Sequence, residues 1–203
     1  MAAVKKKSSK PAPRPPADGG PWRPSKIQLA AARKKRVPDL VRPGLRVLFC
    51  GINPGLHSAA VGHHFAGPGN LFWPTLFAAG FTDRLLTAFD ASSLLDLGYG
   101  ITNLVPRTTA AADELTHDEL HVGATSLTRK ARKLAPRFVA VLGLQAYRVA
   151  FERRKAVVGL QLEPIGTSRL WLLPNPSGLN AFHQPTILNE MFLEFRRAVE
   201  RDA

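Results

Sequence analysis

Two asparagine–proline pairs carry the first chemical signal in the chain. Asn53-Pro54 lies in "CGINPGLHSAAVGHHFAGPGN" (residues 50–70), and Asn175-Pro176 lies in "LPNPSGLN" (173–180). Each pair follows an apolar run, so each asparagine is expected at the end of a buried strand, with its proline fixing a turn. A primary amide offers an uncharged acceptor and two donors. It can orient a water or a flat polar ligand, but it lacks the charge of a general base. One such turn is an ordinary connector. Two, at the ends of strands of one sheet, border a common pocket if those strands are neighbours.

The residues around these pairs are of matching types. Gly51 and Gly55 allow a sharp turn and close approach of a ligand to the backbone. Phe65 is either a platform for a flat ligand or a plug for its own loop. Leu179, apolar in a glycine-rich loop, either touches something outside the protein or folds back on the core. His63 and His64 are adjacent, and adjacent side chains diverge, so no metal is expected there. His117-Asp118-Glu119 has the H-x-E form of a zinc deaminase but lacks its P-C-x-x-C partner. Thr116 and Glu119 have capping-box spacing, which accounts for Glu119 without catalysis. Asp96, seven residues before Asn103, is the nearest acid upstream of the second loop. It is read either as a structural residue at a helix end or as a second catalytic candidate. No phosphate-binding loop and no nucleophile elbow is present.

These side chains need strands to hold them. "LRVLFCG" (45–51), "ITNLV" (101–105), "FVAVLG" (138–143) and "SRLWLLP" (168–174) read as strands, apolar on both faces. Helices are expected over "NLFWPTLFAAG" (70–80), from Thr116 to about Leu134, over "LQAYRVAFERR" (144–154) and over the closing segment after Pro185. Strand and helix alternate. The fold class is therefore α/β, three-layered, with a short and mostly parallel sheet between helices. Ligands of such sheets bind beyond the carboxyl ends of the strands, where both Asn-Pro loops and "NLVPRTT" (103–109) emerge.

Composition bounds the rest. The chain has 203 residues and a net charge of +13. Residues 1–42 hold 12 Lys or Arg against 2 acids, so most of the excess is in a leader rich in Pro, Lys and Ala. That leader is expected to be disordered, with a short helix near Ile27–Arg36, and the body to span 43–203. Its basic run is either a tether to nucleic acid or a solubilising tail. The single cysteine, Cys50, excludes an internal disulfide and an all-cysteine iron–sulfur cluster. No apolar run reaches membrane-spanning length and no secretory core is present, which predicts an intracellular protein without membrane contact.

"GINPGLHSAAVGHHFAGPGNLFW", "GITNLVPRTTA" and "LPNPSGLN", in this order, resemble the mismatch-specific uracil-DNA and thymine-DNA glycosylase family of the uracil-DNA glycosylase superfamily. The likeness spans about Gly44 to Glu200. It implies the same fold and an enzyme that cuts the N-glycosidic bond of uracil, extending to thymine or modified pyrimidines, in mismatched double-stranded DNA. It implies no cofactor and a monomer. By family position Asn53 is the catalytic residue. Ile52, Ser58, His64, Phe65 and Asn103 line the base pocket, and Asn175 faces the sugar and the attacking water. Gly178, Leu179 and Asn180 form the wedge that fills the gap left by the extruded nucleotide. Two other readings stay open: a lesion-binding module of the same fold that does not cut, and an enzyme acting on free nucleosides or nucleotides.

Overall fold

The computed structural model describes residues 21–177 and 184–202. In chain order its elements are α1 (Lys26–Ala31), β1 (Val47–Gly51), α2 (Leu56–Val61), α3 (Phe72–Ala78), α4 (Ser93–Asp96), β2 (Tyr99–Asn103), α5 (His117–Leu134), β3 (Phe138–Leu142), α6 (Leu144–Ala150), β4 (Gly159–Leu160), β5 (Arg169–Leu173) and α7 (Pro185–Arg201). One five-stranded sheet has the order β2-β1-β3-β5-β4. The first four strands in that order run parallel, and β4 pairs antiparallel with β5 at the edge.

The double-sided apolar strands separate two cores. Val47, Phe49, Ile101, Ala140 and Trp171 point to one face and meet Phe72, Leu76, Phe192 and Phe195 of α3 and α7. Leu48, Cys50, Val139, Val141 and Leu172 point to the other and meet Leu120, Leu127, Ala131 and Tyr147 of α5 and α6. Phe49 makes edge-to-face contacts with Phe72, Phe81, Tyr99 and Phe195; pairs of this kind contribute about 0.5–1.5 kcal/mol each beyond burial. The expected three-layer α/β fold is present. Burial pushes the Cys50 thiol well above its ordinary range, so it packs as a small apolar group.

Local signals explain most boundaries. Thr116 and Glu119 form the expected capping box, and α5 ends with Ala135 in a left-handed conformation just before Pro136. Pro185 opens α7. Among the departures from the sequence reading, three bear on the sheet and its first loop. The six-residue α2, bounded by Gly55 and by Gly62 at φ 81°, sits where only loop was expected. β2 begins at Tyr99 rather than Ile101, because Gly100 has no Cβ to strike Leu45 or the Leu40 carbonyl. The two-residue β4 is too short to leave a pattern.

Residues 25–42, grouped by composition with the leader, pack on the body. The expected short helix is α1, capped by Ser25, followed by a single 3-10 turn at Ala32–Lys34. Ala32 and Val37 are buried against Ala59 and Ala60 of α2. Leu40 exchanges two backbone hydrogen bonds with Ile101, at 2.9 and 2.8 Å. The Thr108 hydroxyl donates to the Lys35 carbonyl at 2.7 Å. No helix among the described residues is long and apolar enough to cross a membrane.

Candidate active site

The carboxyl ends of β1, β2 and β5 open onto one cavity of about 530 Å³. Ile52, Asn53, Ser58, His64, Phe65, Asn103 and Asn175 all line it. The strands carrying the two Asn-Pro turns are not neighbours, the condition on which the sequence reading made a shared pocket depend; β3 lies between them. The turns still meet because β3 is followed at once by α6, through Gly143 at φ 144°. Ile52 packs where a Gly143 side chain would stand, 2.9 Å from the place of its Cβ. The Leu71 amide donates to the Pro176 carbonyl at 2.8 Å and ties the last loop to the start of α3.

Each asparagine amide is oriented by its hydrogen bonds. Asn53 Nδ2 donates to the Arg107 carbonyl at 3.0 Å and to Thr109 Oγ1 at 2.6 Å. A carbonyl only accepts, so the nitrogen must face that loop and Oδ1 must face the other way. Oδ1 has no hydrogen-bond partner among the described residues. Asn175 is the reverse case: its Oδ1 accepts the Ser177 amide at 3.1 Å in a tight Asx turn, leaving Nδ2 unspent among the described residues. The cavity is thus offered an acceptor by Asn53 and a donor by Asn175.

The loop carrying Thr109 is pinned from outside. Arg107 grips Glu119 with two hydrogen bonds, at 2.5 and 2.9 Å, and donates to the Glu114 carbonyl at 2.9 Å. Its guanidinium and the Thr116 amide hold the Glu119 carboxyl down to about 2. Glu114 in turn pairs with Arg33, so the segment before β1 and the loop after β2 brace each other.

Phe65 forms one wall. It lies at φ 54°, a strained conformation for a bulky side chain, which marks a position fixed by its surroundings. Its ring stacks on Phe72, with centroids 4.0 Å apart and planes at 25°. Its edge abuts Gly51, where a Cβ would come within 3.1 Å. The opposite face is left to the cavity. Ser58 Oγ accepts the Ala66 amide at 3.1 Å and closes the loop behind Phe65.

Asn103 and His64 are bonded to each other at the base of the cavity, Asn103 Nδ2 to His64 Nδ1 at 3.2 Å. His63, its neighbour in sequence, packs instead against Phe89, with ring centroids 4.8 Å apart and planes tilted by 53°. Burial holds the His64 imidazole below its ordinary value, with the hydrogen bond to Pro38 working the other way. His57 also lines the cavity and is held low by burial and by Arg23. Its Nδ1 is buried without a partner among the described residues. Among the described residues lining the cavity there is no Asp, Glu, Lys or Arg.

Asp96 is not brought here. It ends α4 at the amino end of β2, exposed, with the length of the strand between it and Asn103. The strand between them places it at the other end of the sheet from Asn53. Gly178, Leu179 and Asn180 lie outside the described residues. Thr109, His57, Leu29 and Pro38 were not singled out from the sequence. Thr109 and Pro38 act through loops whose path depends on tertiary contacts, and His57 and Leu29 sit on short helices without a strong periodic pattern.

The profile of the uracil DNA glycosylase superfamily matches residues 38–200. The chain belongs to that superfamily. Membership supports a DNA glycosylase in general terms, a hydrolase of base excision repair acting on the N-glycosidic bond.

Proposed function

We propose that this protein is a monofunctional glycosylase that releases uracil, and with it thymine or modified pyrimidines, from mismatched duplex DNA by base flipping and water attack. The observation that carries the reading is the pair of oppositely committed amides, Asn53 and Asn175, on one cavity with no carboxylate among its described lining residues. A base rotated out of the stack enters beside Phe65 and meets Asn103 at the cavity floor. Asn53 Oδ1 accepts a hydrogen bond from the attacking water and so aims its lone pair at the sugar carbon. Asn175 Nδ2 donates to the same water or to the sugar. Leu179, by its place in the loop, fills the vacated stack.

An amide cannot neutralise a sugar cation by charge, and both cavity imidazoles are held toward their neutral forms. The base therefore departs with its own negative charge, met by hydrogen bonds rather than by a strong acid. The chemical step is expected to be slow and graded by leaving-group ability. The protein acts as a monomer on double-stranded DNA with mismatched or damaged bases.

The test is incubation with excess protein over a duplex carrying one G·U pair, then alkali to cut any abasic site. Strand breaks at the uracil are expected. The lack of a carboxylate among the described lining residues also favours a second reading, a lesion-binding module that does not cut. Intact strands together with salt-sensitive, mismatch-dependent binding would select it.

A further inference from the structure

The parallel strands all begin at the pole of the sheet opposite the cavity, and that pole is basic. Arg46 and Arg137 stand one residue ahead of β1 and β3, whose first residues are register partners, and Arg169 opens β5 level with Phe138. Arg132 and Lys133 lie in the last turn of α5, which returns to the same pole. There the Leu134 carbonyl accepts the Gly44 amide at 2.9 Å, two residues after Arg42. The Arg137 amide donates to the Leu45 carbonyl and the Arg169 amide to the Arg137 carbonyl, both at 2.9 Å. The starts of β1, β3 and β5 are thereby tied together, so the cations are mounted on the frame of the sheet.

Few acids answer these charges. Asp202 pairs with Arg169 at 2.6 Å, and Glu163, in the turn before β5, is taken up by Arg153. Asp96, at the end of α4, makes no ion pair among the described residues. Arg42 donates to the Leu95 carbonyl at 3.2 Å and Arg46 lies over the Tyr99 ring at 5.7 Å, so neither meets a carboxylate. Arg132, Lys133 and Arg137 are exposed and have no acid partner among the described residues. The dipole of α5 favours a basic last turn and so accounts for Arg132 and Lys133. It does not account for Arg42, Arg46 and Arg137, which precede strands.

We propose that this pole is a second DNA-binding face, which takes the phosphate backbone of another duplex while the cavity end holds the first, so that the protein passes between duplex segments without full release. Four of the five cations left without an acid are arginines, whose planar forks match phosphate oxygens. Such contacts read no sequence and suit undamaged DNA. One straight duplex cannot serve both ends. The five residues of β1 hold them apart by about 16 Å, at about 3.3 Å per residue, with loops beyond at each end. Bending a duplex sharply enough to turn back over that distance is costly. The inference needs only that the cavity end meets DNA, and not that a base is cut.

Release of the full chain from a short fluorescent duplex of undamaged DNA, chased with rising amounts of unlabelled duplex, reads the transfer. Full dissociation gives a rate independent of the chaser. Transfer through a doubly bound state gives a rate that climbs with it. The wild type is expected to show the climb at low salt, and to bind two short duplexes per protein in sedimentation at excess DNA. Arg132→Glu, Lys133→Glu and Arg137→Glu together should lose roughly tenfold or more of the chaser-dependent slope, the scale of three lost phosphate contacts. The same variant should bind one duplex, and its release extrapolated to zero chaser should stay as in wild type. The matching triple Gln variant removes the charge without reversing it and should lose most of the slope, so it carries the test if the Glu variant melts early. A flat wild-type response overturns the proposal. So does a folded variant with the wild-type slope, which would assign transfer to the leader and leave the pole to an acidic protein partner. Faster release at zero chaser would place the pole in the first binding face, and two proteins on two duplexes would place transfer in self-association; either result also overturns it.

Discussion

Thr109 Oγ1 lies 2.6 Å from Asn53 Nδ2, and this contact, with the Arg107 carbonyl, decides which end of the Asn53 amide faces the cavity. The two residues stand on different loops, joined further by the Thr109 amide donating to the Pro54 carbonyl at 3.2 Å. Replacing Thr109 by Val keeps the shape and removes the hydroxyl. The amide then rotates more freely and the water is less well aimed. Single-turnover cleavage of a G·U duplex should fall roughly tenfold in Thr109→Val, the scale of one hydrogen bond, and recover in Thr109→Ser. Binding measured by anisotropy should change little. Equal rates in all three proteins would show that the hydroxyl does not orient Asn53.

Asn53 itself should matter more. Asn53→Ala removes the acceptor assigned to the water, and the chemical step should slow by roughly a hundredfold or more, as when one preorganised polar group is lost from an active site. Duplex binding should persist, because base stacking on Phe65 and backbone contacts do not depend on Asn53. A fully active variant would remove Asn53 from the mechanism.

Gly51 and Asn103 are register partners on β1 and β2, so their substituents point to the same side of the sheet. The missing Cβ at Gly51 is the space that Asn103 Oδ1 and the Phe65 ring edge occupy. Gly51→Ala would place a carbon 2.5 Å from that oxygen and 3.1 Å from the ring. Overpacking of this kind costs roughly 1–3 kcal/mol. Lower thermal stability and a loss of G·U cleavage are expected together, since the neighbours that must move are two residues assigned to the base pocket. Calorimetry and the cleavage assay on the same preparation would check both.

Much of this fold could be read directly from the residue pattern, because strands apolar on both faces admit few arrangements other than a covered parallel sheet. The loops were legible as site-bearing for a similar reason: Asn-Pro after an apolar run places an amide at a strand end. What could not be read was which end of each amide is free. That depends on the Arg107 carbonyl, the Thr109 hydroxyl and the Ser177 amide, groups brought into place by the folded loops. Asp96 misled because distance along the sequence says nothing about which end of the strand a residue occupies. Residues 25–42 misled because their lysines and prolines hide the few apolar side chains, Leu29, Ala32 and Val37, that dock on α2.

Glu119 gives the fold a pH signature. Its carboxyl lies at about 2 in the folded protein, against an ordinary 4.5, owing first to Arg107 and then to the Thr116 amide. A depressed carboxylate stabilises the fold fully above its unfolded value, and the contribution fades as pH falls from about 4.5 through about 2. Glu119→Gln lacks it throughout. Melting temperatures of the two proteins should therefore differ near neutral pH and converge toward pH 2. Because the pair is exposed, the difference should be modest and should shrink in high salt. A gap that stays constant down to the lowest pH would mean that the charge of Glu119 contributes nothing to the fold.

The basic leader and the docked segment after it should separate on truncation. Residues 1–20 carry five lysines and arginines against one aspartate. If they meet phosphates, removing them should weaken duplex binding most at low salt and flatten its salt dependence, since each phosphate contact contributes about 0.9 to the slope of log K against log salt. Melting and single-turnover cleavage at saturating protein should stay as in the full chain. Extending the deletion to residue 40 is a different operation. It removes Leu29 from the cavity wall, the Lys35 carbonyl from Thr108, the Pro38 carbonyl from His64, and Asp39 from Lys130. The longer truncation should lose cleavage even where binding to DNA persists, because His64 and Asn103 are then unanchored. If it cut a G·U duplex as fast as the full chain, the segment before β1 would be a passenger, and the orientation of Asn103 would have to come from the sheet alone.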